Sequence, residues 1–288
     1  MSIIINNIGK KNQLFIDHKK CIWCELCIKV CPSKIFAKTE NGSLFFEKQE
    51  TCISCGHCIS VCKTEAIEHY RFPKEKKHKI DYLKFPSPEQ LMLLIKARRS
   101  NRVFSDIFVP TDYLEKIVEA GNCAPTARNK KEVGFVIIND DEKIRFISKF
   151  TFNSFDKILK KAENPILKPV LKRLYPDLYS DLPRFKEMQS LYLSGNDYIL
   201  RNAKSVILFH TPKNHRFGCE DANLAYQNAS LMAECLGVAH FYTGFVITAI
   251  KRDKQRKVQK MLGINGDIQA GMALGMPAFR YEFFVERK

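Results

Sequence analysis

The chain has 288 residues, of which 45% are hydrophobic and 11% aromatic, and this is enough for two modest domains with buried cores. No stretch approaches the roughly 18 apolar residues of a membrane span, and the first residues, MSIIINNIGKKNQ, lack the charged-then-apolar order of a secretory signal, so we predict a cytoplasmic protein. The formal net charge of +16 suits phosphate-bearing cofactors or acidic protein partners, and the even spread of the lysines argues against nucleic-acid binding.

The first chemical signal in the chain is a repeated cysteine motif. Eight of the eleven cysteines lie between Cys21 and Cys62, and the same pattern of Cys-x-x-Cys-x-x-Cys-x-x-x-Cys occurs twice, about thirty residues apart. The two runs consist of Cys21, Cys24, Cys27 and Cys31, then Cys52, Cys55, Cys58 and Cys62. In a cytosolic chain, clustered cysteines favour metal ligation over disulfides.

The spacing within each run indicates iron–sulfur clusters. Gaps of two residues let one loop place three thiolates on three irons of a cube, while the fourth cysteine serves the other cube. We therefore predict two [4Fe–4S] clusters, one held by Cys21, Cys24, Cys27 and Cys62, and the other by Cys52, Cys55, Cys58 and Cys31. Zinc is the alternative, but it normally uses two separated Cys-x-x-Cys pairs, which the threefold run does not match.

Residues 12–72 resemble the bacterial two-cluster ferredoxins, and we place a ferredoxin-like domain at residues 1–72. Two features depart from that family: Lys63 stands where proline usually follows the last cysteine, and the module is not acidic as free ferredoxins commonly are. The second departure suggests either an acidic electron partner or docking that is built into the fusion.

A charged connector follows, and a second domain begins after it. Residues 73–87 have no apolar period and end in Pro86-Ser87-Pro88. Ser87 is a good N-cap, Pro88 suits the first helical position, and Gln90 completes a capping box. We predict that a helix begins at Pro88 and that the second domain covers residues 88–288.

An arginine-rich group ends this helix. Arg98-Arg99-Ser100-Asn101-Arg102 places three guanidinium groups and a hydroxyl within five residues. Because arginine forks bind phosphate oxygens in pairs, the group is a candidate phosphate site. The alternative is a solvated helix end, where cations are favoured in any case.

The following elements occur in a characteristic order. The pattern predicts a capped helix over residues 111–121, a strand over residues 135–138, and a long buried helix over residues 221–237 that ends at Gly237. Between and after them lie three short segments, Ala124-Pro125-Thr126-Ala127-Arg128-Asn129, Thr243-Gly244-Phe245 and Ala273-Leu274-Gly275-Met276-Pro277.

This order resembles the FMN-dependent nitroreductase family over residues 88–280, apart from the middle. The resemblance implies an α+β fold with a mostly antiparallel central sheet flanked by helices, and a homodimer that shares two FMN sites, with the long helix at its interface. It also implies flavin-binding residues, namely Arg98, Arg99, Ser100 and Arg102 at the phosphate and ribityl chain, Pro125, Thr126 and Ala127 from the partner subunit, Asn129 at the ring, Thr243 and Gly244 near N5, and Arg280 as a second phosphate cation. The acidic residue that some members carry near N5 is absent.

The segment of about residues 150–200 has no counterpart in the resemblance. Its aromatic bias suggests a helical insertion over the substrate side of the flavin, with core packing or an interface as an equal alternative. His210 and His215 have no partner motif and are expected to be structural or exposed rather than catalytic.

Together these patterns predict an oxidoreductase. Electrons would pass from two [4Fe–4S] clusters to FMN and on to a small acceptor of the nitro, quinone-like or activated-alkene type, with the chemistry at flavin N5 and no catalytic side chain predicted. Ferredoxin is the expected donor, with NAD(P)H as the other possibility. The alternative function is an electron-transfer or redox-sensing flavoprotein that relays electrons to a protein partner.

Overall fold

The computed structural model describes residues 14–286. Residues 1–13, which carry the signal-sequence prediction and the start of the first predicted domain, lie outside the described residues, as do residues 287 and 288. The described chain divides into two compact units. The first comprises the residues up to Phe85 together with Ala127–Lys130, and the second comprises Pro86–Thr126 and the residues from Lys131 onward. Within residues 14–286, a helix with both the length and the apolar character needed to cross a bilayer is not found.

The first unit is built from short elements that follow the cysteine repeat. Two antiparallel pairs of strands and two short helices form it, namely β1 (Leu14–Ile16) with β4 (Ile67–His69), β2 (Phe36–Lys38) with β3 (Leu44–Phe46), α1 (Leu26–Val30) and α2 (His57–Val61). Ile16, Ile35, Phe36 and Ile67 form its small core together with the buried thiol of Cys27. Each helix begins inside one cysteine run, so the repeat in sequence is also a repeat in structure.

The second unit is built on a four-stranded antiparallel sheet. Its strands are β5 (Gly134–Ile138), β6 (Ser205–Thr211), β7 (Ala239–Tyr242) and β8 (Asp267–Gly275), in the spatial order β5-β6-β8-β7. Its helices are α3 (Pro88–Ala97), α4 (Thr111–Asn122), α5 (Asp141–Glu163), α6 (Lys168–Leu174), α7 (Pro176–Leu193), α8 (Gly218–Cys235), α9 (Gly244–Arg252) and α10 (Lys257–Leu262). The predicted α+β class with a mostly antiparallel sheet is confirmed.

Helices cover the sheet through two clusters of buried side chains. One cluster joins α4 and α8 to the sheet, and alanines at helical spacing on α8 allow this helix to pack closely. The other joins α5, α7 and α9 to the sheet. The long helix begins at Gly218, three residues before the predicted start, and ends at Cys235, close to Gly237 with its positive φ of 70°.

The capping signals in the sequence correctly predicted the start of α3, but they predicted a side-chain cap for α4 that is absent. The capping box at α3 is present, because Gln90 N donates to Ser87 Oγ at 3.2 Å and Ser87 N donates to Gln90 Oε1 at 2.9 Å. The expected side-chain cap of α4 is absent, because Pro110 occupies the N-cap position and carries no polar side chain.

The middle segment is helical, and its aromatic residues serve two purposes. Phe185 and Tyr192 pack into the core, with the Tyr192 ring stacked on Phe152 at 4.1 Å between centroids. Tyr175, Phe185 and Tyr198 line a cavity. The helix α5 starts at Asp141, before the predicted insertion, so the segment grows out of an element that already packs on the sheet.

Candidate functional site

The structure brings the eight clustered cysteines together as two sets of four. Cys21, Cys24, Cys27 and Cys62 line one cavity of about 140 Å³, and Cys31, Cys52, Cys55 and Cys58 line another. These are the crossed sets that the spacing predicts. Among residues 14–286, no three Cys, His, Asp or Glu side chains meet at a single-ion site. A cube does not require such a meeting, since its four thiolates bind four different irons.

The backbone around the second cysteine of each run has an unusual conformation. Trp23 and Glu25 flank Cys24 with φ of 57° and 59°, and Ser54 and Gly56 flank Cys55 with φ of 51° and 80°. Non-glycine residues seldom adopt this left-handed region. Its alternation with ordinary backbone turns successive N–H groups toward one side, as in the concave anion sites that hold many Fe–S clusters.

The thiols are crowded enough to resist deprotonation without a metal. Burial, together with the neighbouring thiols of Cys52, Cys55 and Cys31, raises the pKa of Cys58 to about 12. Burial likewise raises the pKa of Cys27, with Cys21 and Cys24 adding to the effect. Such groups become thiolates when a metal cation replaces the proton. The donor set therefore fits iron.

The two cysteine cavities differ at equivalent positions of the repeat. Lys38 and His69 each lie seven residues after the last cysteine of a run. Lys38 lines the first cavity, whereas His69 lines the second. The amide N–H of Arg71 donates to His69 Nδ1 at 3.0 Å, so the ring proton is left on Nε2. That nitrogen lies 3.9 Å from Cys52 Sγ and is the donor of an N–H···S contact.

The first unit also contains a short segment from beyond the connector, within the sequence of the second unit. Ala127–Lys130 belongs to it, and Asn129 Nδ2 donates to the carbonyl oxygens of Ile53 at 3.0 Å and Ser54 at 2.9 Å. The family resemblance assigns the Asn129 amide to the flavin ring. In the structure its two N–H groups bond to the loop that carries Cys52 and Cys55.

In the second unit, three of the flavin-assigned residues share one cavity. Arg102, Thr243 and Gly244 line a space of about 600 Å³, and the Arg102 guanidinium lies 5.3 Å from the centre of the Phe241 ring. Thr243 is only 2% exposed, and its Oγ1 has no hydrogen-bond partner within residues 14–286. A buried hydroxyl without a partner is costly, and a polar ligand atom would satisfy it. The size and lining of this cavity fit a flat cofactor.

Four further flavin-assigned residues, Arg98, Arg99, Ser100 and Arg280, lie elsewhere in the second unit. Arg99 and Arg280 line a separate cavity of about 430 Å³, where Arg99 donates to the backbone oxygen of Lys96 at 2.8 Å. Arg98 is the C-cap residue of α3, and the Ser100 carbonyl accepts a bond from Arg102 at 3.1 Å. The arginine group thus faces two cavities rather than one.

A hydrogen bond joins the two ends of the loop before β5. Thr126 Oγ1 accepts a hydrogen bond from Lys131 N at 2.9 Å, and Pro125 beside it is exposed. Thr126 and Lys131 therefore anchor the two ends of the segment that contributes Ala127 to the first unit.

Sequence reasoning missed three arginines of the 600 Å³ cavity. Arg184 and Arg201 come from the middle segment and Arg252 from the end of α9, and all three line the cavity beside Arg102. They are scattered over almost seventy residues, so no local pattern marks them. The one available signal was the mixture of arginine with aromatic residues in the middle segment.

The two histidines noted in the sequence differ in their surroundings. His215 is almost fully buried, and its Nε2 lies 3.2 Å from Glu132 Oε2 and 3.7 Å from Asp221 Oδ2. His210 is partly buried, which lowers its pKa. Neither lines the cavity that holds Thr243.

Models of known protein families match both parts of the chain. The model of the nitroreductase family matches residues 95–276, and that of the 4Fe-4S dicluster domain matches residues 13–63. A protein of Archaeoglobus fulgidus, named as an NADH dehydrogenase/NAD(P)H nitroreductase, is 23% identical over 199 residues, which cover 68% of this chain and 90% of that protein.

Solved structures share the fold of the second unit. A nitroreductase with bound FMN from Bacteroides fragilis matches with a TM-score of 0.50 and 20% identity, over 69% of this chain and 95% of that one. A nitroreductase with bound FMN from Desulfitobacterium hafniense matches with a TM-score of 0.52 and 16% identity, over 68% and 93%.

Proposed function

The chain belongs to the nitroreductase family and carries a 4Fe-4S domain ahead of its nitroreductase domain, and from this we propose that it is an iron–sulfur flavoprotein oxidoreductase. Two [4Fe–4S] clusters would supply single electrons to FMN, and a small acceptor of the nitro, quinone-like or activated-alkene type would receive them. We also propose a ferredoxin-like domain at residues 1–72, a connector at residues 73–87 and a nitroreductase-like domain at residues 88–288.

The observation that carries the proposal is the sorting of eight cysteines into two crossed sets of four. A single structural metal would need only one set, whereas two cubes are the arrangement that one-electron carriers use. The crowded thiols of Cys58 and Cys27 support cluster ligation, because their pKa values are raised in the absence of a cation.

FMN is proposed for the second unit on the family and on the cavity of Arg102, Thr243 and Gly244. When bound, this cofactor collects two electrons and delivers them as a hydride from N5. Arg102 would bind the phosphate or ribityl chain of the cofactor, as the family resemblance implies. The Thr243 hydroxyl would bond a polar atom of the cofactor, and the Phe245 and Tyr198 rings would limit the water in the cavity.

We propose a low-potential redox protein as the electron donor. Cys24 is the only exposed thiol among the eight, and the Trp23 side chain beside it is 43% exposed. Lys63, directly after the proposed ligand Cys62, lines the first cysteine cavity and also a neighbouring groove. In this groove Lys20, Lys63, Lys74 and Lys77 outnumber Glu65 and Glu68, although Lys77 pairs with Glu65. Lys63 has no carboxylate partner in the described part of the chain. This basic surface suits an acidic carrier such as ferredoxin. NAD(P)H remains the other donor, as in the name of the Archaeoglobus relative.

A homodimer is also part of the proposal. The helix α3 has no buried residue, and Leu91, Met92 and Ile95 on it are between 43% and 50% exposed. Near the C-terminus, Phe283 and Val285 are still more exposed. Apolar surface of this extent is typical of an interface, and the family resemblance implies that two subunits share the FMN sites.

The same basic groove favours one alternative function. The flavin would then relay electrons to a protein partner, and no small acceptor would be reduced. Steady-state turnover of small acceptors would argue against this alternative, whereas a stable complex with an acidic partner and no turnover would support it.

Two measurements test the proposal. Iron, sulfide and flavin analysis should give about eight irons and one FMN per chain. Stopped-flow mixing with reduced ferredoxin, followed by a nitroaromatic compound, should first reduce the flavin and then reoxidise it, and an unreduced flavin after the first step would contradict the proposed route. Cys58→Ser should lower the iron content, whereas Cys123→Ser, which changes an exposed thiol outside both sets, should leave it unchanged.

A further inference from the structure

The 600 Å³ cavity is unusually rich in unpaired arginine. Arg102, Arg184, Arg201 and Arg252 all line it. Within residues 14–286, none of the four forms an ion pair with an Asp or Glu side chain. Guanidinium groups that are not neutralised by the protein attract anions, and their forked donors match carboxylate geometry.

Two of these arginines lie over aromatic rings. The Arg184 guanidinium carbon lies 4.9 Å from the centre of the Phe245 ring, and that of Arg201 lies 3.8 Å from the centre of the Tyr198 ring. Attraction between a guanidinium and the face of an aromatic ring restricts where the guanidinium lies. Both groups are therefore positioned beside the cavity before a ligand binds.

The turn that carries Arg201 is held by side-chain hydrogen bonds. Arg201 and Asn202 have left-handed φ values of 57° and 56°. Asp197 holds this turn, because its Oδ1 accepts from the backbone N–H groups of Ile199 and Leu200, both at 3.1 Å, and from Ser148 Oγ at 2.7 Å. Left-handed backbone at a non-glycine residue persists where the surroundings impose it, often at functional sites.

Aromatic side chains complete the walls. Phe155 meets Phe245 edge to face at 5.1 Å between centroids, and Phe185 packs against both. These rings offer a slot for a flat ligand. The opposing charges are Asp177 and Asp181, which are exposed on α7 and are outnumbered by the four arginines.

We infer that this cavity selects acceptors that are planar and aromatic and that carry an anionic group, with Arg184, Arg201 and Arg252 as the specificity-determining residues. The inference rests on the proposed function, because Arg102, Thr243 and Gly244 in the same cavity are the residues assigned to the flavin. Arg102 serves the flavin, and the other three arginines are left for the anionic group of the acceptor.

The test compares three probes of nearly equal size and different charge: 4-nitrobenzoate, 4-nitrobenzamide and 4-nitrobenzylammonium. Calorimetric titration of the oxidised holoprotein measures their binding without turnover. We expect 4-nitrobenzoate to bind at least about tenfold more tightly than the amide, and the ammonium probe to bind most weakly. Equal affinities for the three probes, or tighter binding of the ammonium probe through Asp177 and Asp181, would overturn the inference.

Substitution of single arginines tests which of them bind the anionic group of the probe. Arg184→Gln and Arg201→Gln should each weaken 4-nitrobenzoate binding about tenfold and leave 4-nitrobenzamide binding within about twofold. Arg173→Gln is the matched control, because Arg173 is an exposed arginine of the neighbouring helix α6 that does not line the cavity. Equal losses for both probes would overturn the assignment of these arginines.

Turnover separates this inference from the proposed function. If none of the three probes is reduced by the holoprotein, the proposed function fails. If all three bind and are reduced equally, the proposed function stands and the anion selectivity is wrong.

Discussion

His69 Nε2 lies 3.9 Å from Cys52 Sγ, on an imidazole whose other nitrogen accepts the Arg71 amide N–H. His69 is 4% exposed, and burial lowers its pKa, so the ring is neutral and donates a hydrogen to the sulfur. Hydrogen bonds to the ligand sulfurs are among the factors that set the potential of a cluster, because they stabilise the more negative, reduced state.

His69→Phe should therefore lower the midpoint potential of the cluster on Cys52, by on the order of tens of mV. Redox titration followed by electron paramagnetic resonance measures this potential. His69→Gln keeps a donor and should recover part of the shift, whereas His78→Phe changes an exposed histidine and should have no effect. An unchanged potential in His69→Phe would show that the contact does not influence the cluster.

Asn129→Ala should destabilise the first unit by about 1–3 kcal/mol, because the carbonyls of Ile53 and Ser54 lose their amide donor. The left-handed φ of 53° at this position adds a further cost for alanine. Guanidinium unfolding followed by cluster absorbance is the measurement. Asn139→Ala, at an exposed position after β5, serves as the control, and equal midpoints for the two variants would refute the role of Asn129.

Lys63→Glu should slow the reduction of the clusters by an acidic ferredoxin, since it reverses a charge beside the exposed edge of the first cysteine set. The loss should be largest at low ionic strength and should shrink as salt is added. Reduction by dithionite should be unaffected. Lys48→Glu makes the same charge change at a lysine that lines neither of the two cavities that contain Lys63, and if it slows ferredoxin as much as Lys63→Glu does, the docking surface is wrong.

Acid should destabilise the second unit through His240. Burial lowers the pKa of this histidine to about 4, whereas the unfolded chain has an ordinary value of 6.5. Because the unfolded state binds the proton more readily, the free energy of unfolding falls as the pH drops from 6.5 to 4, by about 3 kcal/mol in all. His240→Gln should flatten this part of the pH profile, and an equally steep profile in the variant would contradict it.

Local sequence signals predicted the elements that depend on neighbours in the chain. The cysteine spacing predicted the two sets of four that line separate cavities, because three members of each set lie in one short loop. The capping box at Ser87 and Gln90 was found for the same reason, since both partners lie within one helical turn. The start of α4 was misjudged, because Pro110 fits a helix N-terminus without offering a side-chain bond.

The parts that sequence could not predict depend on distant residues. The arginines at 184, 201 and 252 meet Arg102 only after the middle helices pack on the sheet, and no periodic pattern relates them. The resemblance assigned Asn129 to the flavin ring, and no pattern in the sequence linked it to the loop of Ser54, which lies 75 residues earlier. His69 was overlooked for a simpler reason: a single histidine in a strand carries no signal for the sulfur it contacts.

The inclusion of Ala127–Lys130 in the first unit has a consequence for protein engineering. In a fusion of this kind, the 4Fe-4S domain could be treated as an independent cassette, that is, a module that can be cut off at the connector and attached to another reductase. Here the first unit takes four residues from the middle of the reductase sequence. A cassette that ends at Phe85 would lack Asn129, so the module can be transplanted intact only if those four residues are supplied with it.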